Sequence, residues 1–154
     1  MTKPLTITVH ATTQTNPGVL CNNIIDMEQW KSFTGWGPLP GISNASFELR
    51  TDEIVGSRIR AHNTDGSTHI ETITVWDPKR CIELTMGEFP KPLSRLATSF
   101  TERWTFSPLN DPAAGWNATR TLEMHPRSGL TRVLLIPIAF MMKRALVRHN
   151  RTVL

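Results

Sequence analysis

Residues 129–154 read GLTRVLLIPIAFMMKRALVRHNRTVL, and the fold follows from what this stretch needs. No acidic residue occurs after Glu123, and Val133 to Met142 is a ten-residue run without a charge. At about 100° per residue, Leu134, Ile138, Met141, Met142, Ala145 and Leu146 fall within one arc, with Arg132, Lys143 and Asn150 opposite. A helix of about 25 residues, rising roughly 1.5 Å per residue, would span a small domain. The uncharged run is too short for the roughly 20 apolar residues of a bilayer crossing. The stretch therefore reads as one amphipathic helix that needs an apolar surface to lie on. Pro137 interrupts it, since proline inside a helix removes a hydrogen bond and costs about 3 kcal/mol. Either the helix kinks there or it begins there with Pro137 in its first turn; the continuous, kinked form is the expectation.

The rest of the chain has to supply the surface. Leu5 to Thr12 alternates apolar and polar, as a half-buried strand does. Asn16-Pro17-Gly18 opens a short helix, with Asn16 as cap and Pro17 in the first turn. Asp26 caps a second one over Met27 to Phe33. Gly35 to Gly41, with two prolines and three glycines, is a loop and a candidate lid. From Ser46 the period becomes two. Phe47 and Leu49 alternate with Glu48 and Arg50, and Ile59 and Ala61 alternate with Arg58, Arg60 and His62.

Asp65-Gly66 signals a two-residue hairpin. That turn would set Ala61 opposite Ile70 on the inner face and His62 opposite His69 on the outer one. Thr72, Thr74 and Trp76 share the inward parity of Ile70. Pairing Trp76 with Ile82 adds Ile82, Leu84 and Met86. Thr98 to Ser107 and Trp116 to His125 complete the set, with Phe100, Trp104 and Phe106, then Ala118, Leu122 and Met124, on one side. A sheet with one solvated face must cover the other. The expected architecture is α+β: about seven antiparallel strands curled around the terminal helix as one domain over residues 1–154.

Composition narrows the function classes. Hydrophobic residues are 39% and charged residues 19% of the chain, which suits a globular protein. The net charge of +4 is unevenly placed. Residues 1–123 hold 11 Lys/Arg against 13 Asp/Glu, while residues 124–154 hold six basic residues and no acidic one. Cations near a helix C-terminus and on a solvated face explain this most simply. Weak contact with an anionic membrane is the sharper reading. No strand or helix motif of a nucleic-acid binder accompanies the charge, so no nucleic-acid partner is expected. Cys21 and Cys81 form no CxxC pair, which argues against a zinc or disulfide framework. With no apolar leader at the N-terminus, the expected location is cytoplasmic, as monomer or homodimer.

Taken together, the residues resemble the START-like or SRPBCC superfamily, in its polyketide cyclase/dehydrase branch. The pieces are Pro17 starting a helix and Asp26-Met27-Glu28-Gln29-Trp30. They continue with Val55-Gly56-Ser57-Arg58, Val75-Trp76-Asp77-Pro78-Lys79-Arg80, Phe100 to Phe106, and the Met-rich basic helix. The resemblance covers nearly the whole chain. It implies the helix-grip fold and a deep apolar cavity for lipids, polyketides or other hydrophobic small molecules, in which some members catalyse cyclisation or dehydration. The chain contains no tyrosine, so a tyrosine acid or base is excluded.

Within that frame the expected cavity wall joins Trp36, Phe47, Leu49, Ile59, Ala61, Ile70, Thr72, Thr74, Trp76, Ile82, Leu84, Met86, Phe100, Trp104, Leu122 and Met124. From the terminal helix it adds Leu134, Ile138, Met141, Met142 and Ala145. Glu102 is the candidate catalytic residue. It shares the parity of Phe100 and Trp104, and a desolvated carboxyl is what a general acid/base near neutrality needs. Pairing with a basic residue, or a bulge that turns it outward, would remove that role. His62 and His69, facing each other near a hairpin tip, are spaced to share a metal. No third ligand is evident, and neither a metal nor a cofactor is expected. Three functions follow: binding of a small hydrophobic ligand first, an acid/base enzyme second, and a module docking through the basic helix third.

Overall fold

The computed structural model describes residues 2–154. Strand β1 (Leu5–Thr13) is followed by α1 (Pro17–Ile25), where the Asn16 side chain accepts from the Gly18 N–H and Pro17 occupies the first turn. One 3-10 turn, Met27–Ser32, starts at Asp26, whose carboxylate accepts from the Glu28 N–H. Then come β2 (Ile42–Leu49), β3 (Arg58–Asn63), β4 (Thr68–Asp77) and β5 (Cys81–Gly87). After α2 (Leu93–Leu96) the chain forms β6 (Ala97–Pro108) and β7 (Trp116–Pro126). The seven strands make one antiparallel sheet in the order β1-β7-β6-β5-β4-β3-β2. Strand β1 thus crosses to pair with β7, and β2 ends the far edge.

The β3–β4 turn has three residues, Thr64-Asp65-Gly66, where two were expected. The Asn63 N–H donates to the Ser67 carbonyl at 2.8 Å, and Gly66, at φ 86°, takes the left-handed position. The Asp65 carboxylate accepts from both the N–H and the Oγ of Ser67, at 2.9 and 2.6 Å, which fixes the longer loop. A one-residue change in loop length moves every side chain of a strand to the other face. Ala61 therefore pairs with His69, Ile59 with Glu71 and Arg60 with Ile70. His69 and Glu71 point into the cavity, whereas Ile70, though only 2% exposed, and Thr72 take the opposite side of the strand. Thr74 shares the outer parity of Ile70 and Thr72 and bonds to Glu83 at 2.8 Å, while a bulge between Ile73 and Val75 returns Trp76 to the inner face. His62 now pairs with Thr68, so the two histidines stand on opposite faces and share nothing.

Gly66 makes this register testable. A Cβ there would meet no neighbour within 4 Å, so Gly66→Ala adds only the left-handed backbone cost, about 1–2 kcal/mol. Urea denaturation should show that loss, and an unchanged midpoint would mean that another turn is used.

The terminal segment is two helices, α3 (Gly129–Leu134) and α4 (Ile136–Val153), in place of one kinked helix. Ser128 and Thr131 form a reciprocal capping box that starts α3. Pro137 falls in the first turn of α4, where its missing N–H costs nothing. Leu135 sits at the break, fully buried, among Ile7, Val9, Phe100, Leu122 and Met124. The buried side of α4 is turned relative to the apolar arc. Asn150 of α4, expected outside, is buried with Ala145 and Leu146, and Leu134, expected in the arc, falls in α3 and is exposed.

Candidate functional site

A cavity of about 310 Å³ lies beneath α4, between it and the concave face of the sheet. Its sheet wall is Leu84 and Met86 of β5, Phe100, Trp104 and Phe106 of β6, and Leu122 of β7. Met142 and Leu146 of α4 roof it, and Leu20, Ile24, Trp30 and Phe33 close one flank. Exposed Asp65 at the β3–β4 tip and Lys91 and Pro92 after β5 also line it, which marks the mouth. Leu39 and Pro40 bring the 35–41 loop to this rim.

Two groups of polar side chains interrupt the apolar lining. The first centres on Arg120, whose inward direction follows from parity with Ala118 and Leu122. Arg120 pairs with Trp104 across the β6–β7 ladder, and Glu102 pairs with Leu122, so Arg120 and Glu102 are diagonal neighbours on one face. Arg120 Nε donates to Glu102 Oε1, and the guanidinium lies 4.3 Å from the Trp104 ring centre. Both partners are 5% exposed. Arg120 Nη1 donates to His149 Nδ1 at 2.8 Å and to Asn150 Oδ1 at 3.3 Å.

These contacts fix the histidine tautomer. A guanidinium can only donate, so Nδ1 of His149 carries no proton and Nε2 does. Nε2–H then donates to Ser32 Oγ at 2.9 Å, and Ser32 Oγ–H donates to the Gln29 carbonyl at 2.6 Å. A one-way chain of donors thus runs from β7 through α4 to the 3-10 turn. A proton on Nδ1 would face Arg120 donor to donor. Burial, and then the Arg120 charge, hold the His149 imidazole down at about 3. Its ring also meets Phe33 edge-on, with centroids 5.5 Å apart.

The second polar group is His69 and Glu71 on β4. His69 Nε2 lies 3.0 Å from Glu71 Oε1, and His69 stands beside Phe89, centroids 6.4 Å apart. From β4 to β6 is two strand spacings, about 10 Å, so the two groups stand beside one another on the sheet wall of the cavity. Cys21 stays outside it, its thiol pushed up to about 12 by burial and then by Asp77.

Glu102 does face the cavity, but as half of an ion pair. Leu84, Met86, Phe100, Trp104, Leu122 and Met142 stand on the wall with it. Ile59, Ala61, Ile82, Met124 and Ala145 are buried in the surrounding core, and Ile138 packs half-buried against it. Phe47 and Trp76 do not reach the cavity but pack half-buried on the core clusters, with Arg50 over the Phe47 ring. Leu49 and Leu134 are exposed, and Met141 is half-buried outside the cavity. Trp36 lies on the outer surface of α4, edge-on to Phe140 with centroids 5.7 Å apart. Ile70, Thr72 and Thr74 are lost to the register shift. The residues not anticipated are Arg120, His149, Ser32, His69 and Glu71. Parity with Leu122 could have found Arg120. Helical spacing from Met142 and Leu146 could have found His149.

The architecture is the helix-grip fold, shared with Bet v1-like and START-like proteins. No protein-family model matches the chain, and no curated relative matches it. Solved structures do. The major latex-like protein 151 of Panax ginseng superposes with a TM-score of 0.68 at 12% identity, covering 97% of this chain and 95% of its own. Ara h 8.0201 gives 0.62 at 11% identity, covering 96% and 99%. Protein CV1439 of Chromobacterium violaceum gives 0.59 at 16% identity, covering 96% of each. At such identities the likeness is one of fold. Among the described residues no helix is long and apolar enough to cross a membrane.

Proposed function

We propose that the protein binds a small, largely apolar molecule beneath α4, with the polar end of that molecule at Arg120 and Glu102. The observation that carries this reading is a cavity of about 310 Å³ with largely apolar walls and two polar groups, Arg120–Glu102–His149 and His69–Glu71. That combination is the usual form of a small-molecule site, although the volume is near the low end of the usual range. The charge balance narrows the ligand. Glu102 already offsets Arg120, and His149 is held neutral, so an added anion would find no uncompensated positive charge. A neutral group that both donates and accepts, such as a hydroxyl or an amide, fits better.

Binding without turnover accounts for Glu102 more simply than catalysis. Its Oε1 is committed to Arg120, where an acid/base carboxyl would be free to exchange its proton with a substrate. The residue pattern of the polyketide cyclase branch is kept as part of the proposal for ligand class alone. Cytoplasmic residence also belongs to it, supported by two unbridged cysteines.

The test is titration with a neutral, environment-sensitive naphthalene probe. Wild type should bind saturably, one probe per chain. Met142→Trp, which fills the roof of the cavity, should weaken binding at least about tenfold while the fold persists. Equal affinity in the two proteins would place the probe elsewhere and reject the reading.

A further inference from the structure

The outer face of the α3–α4 corner is largely uncovered among the described residues, touched at Phe140 by Trp36 and by the Arg144 guanidinium, 5.3 Å from the ring centre. Leu130, Val133, Leu134, Ile136 and Phe140 are between 50% and 72% exposed. Leu130, Val133 and Leu134 share a face of α3 at spacings of three and four, and Ile136 and Phe140 share one of α4; scattered surface apolars rarely gather so. Continuing along α4, the same face becomes cationic. Lys143, Arg144, Arg148 and Arg151 follow, and among the described residues none of them makes an ion pair. A groove lined by Trp36, Gly37, Arg144, Val147, Arg148 and Arg151 lies against this half.

We propose that this face docks on an anionic lipid bilayer. The apolar corner enters the acyl boundary, and the arginines reach the headgroup phosphates at the Trp36 groove. Charge decides for lipid over a second copy of the chain. A two-fold interface that used the whole face would set its cationic half against itself and bring the cations of both copies together. Neither α3 nor α4 carries an acidic residue that would relieve that repulsion. An anionic surface attracts the same cations, each contributing roughly fivefold in affinity near the membrane. The site is independent of the cavity reading, yet the two adjoin. The 35–41 loop rests on Phe140 through Trp36 and supplies Leu39 and Pro40 to the cavity rim. A docked protein would thus hold its mouth beside the lipid.

Vesicle flotation of the full chain tests this, with phosphatidylcholine alone and mixed with phosphatidylserine. Wild type should float with the mixed vesicles far more than with neutral ones, and rising salt should release it. Leu130→Ser/Val133→Ser changes two exposed side chains and should lower the bound fraction at least about tenfold with no loss of thermal stability. Arg144→Glu/Arg148→Glu should reduce mixed-vesicle binding to the neutral-vesicle level. Failure of wild type to float, equal flotation on both vesicles, or full binding by either variant overturns the proposal. So does a dimer that Leu130→Ser/Val133→Ser dissociates while wild type ignores vesicles.

Discussion

Replacing Arg120 by methionine is expected to cost about 3–5 kcal/mol of stability, the largest single effect anticipated here. The cause is the carboxylate left behind. Glu102 is 5% exposed, and without the guanidinium its charge faces apolar side chains from β5, β6 and β7. His149 would lose the donor at Nδ1, and Asn150 the donor at Oδ1. The second substitution shows whether the penalty comes from unpaired charge. Glu102→Leu together with Arg120→Met removes both charges and should recover most of the loss, because a buried pair replaced by apolar groups is often neutral. Urea denaturation of the two variants reads both numbers. A loss below about 1 kcal/mol in Arg120→Met would mean that the pair is solvated and the cluster is not buried as described.

Acid should destabilise the protein through His149. Folding holds this imidazole at about 3, below the ordinary 6.5, so between those values the unfolded chain binds the extra proton. Stability is complete above about pH 6.5 and falls as pH drops, by about 1.4 kcal/mol per unit inside the window. His149→Gln keeps an acceptor for Arg120 and a donor for Ser32 but cannot titrate. Between pH 6.5 and 4.5 wild type should lose about 2–3 kcal/mol more than this variant. The lowered carboxyls of Glu48 and Asp65 also favour the folded state as pH rises, and they are common to both proteins. Parallel stability curves would remove His149 from the account.

Periodicity made the fold legible because alternation in β1, β5, β6 and β7 and the terminal apolar arc all demanded one shared core. The cavity was only partly legible, for two physical reasons. Alternation assigns faces within a strand, but the face that β4 presents depends on one residue of turn length. Asp65-Gly66 suits a two-residue turn, and the longer one is favoured by bonds of Ser67 with Asp65 and with Asn63 that exist only in the folded chain. That single step exchanged Ile70, Thr72 and Thr74 for His69 and Glu71. The other reason is chemical. Arg120 and His149 sat at inward positions all along, but a charged or polar side chain at such a position reads as an exception until its partner is seen. Glu102 and Arg120 explain each other only once β6 and β7 are in register. Pro137 was ambiguous between kink and start, and the capping box at Ser128 with Leu135 buried at the break decided for two helices.

Five tryptophans make the central claim directly measurable. Trp30 and Trp104 line the cavity, whereas Trp36, Trp76 and Trp116 do not. The two-dimensional NMR spectrum of the indole N–H groups should be followed as the neutral naphthalene probe is added. The account predicts saturable shifts at Trp30 and Trp104 with one common affinity, and little change at the other three. Shifts confined to Trp36, or no saturable shift at Trp104, would contradict it.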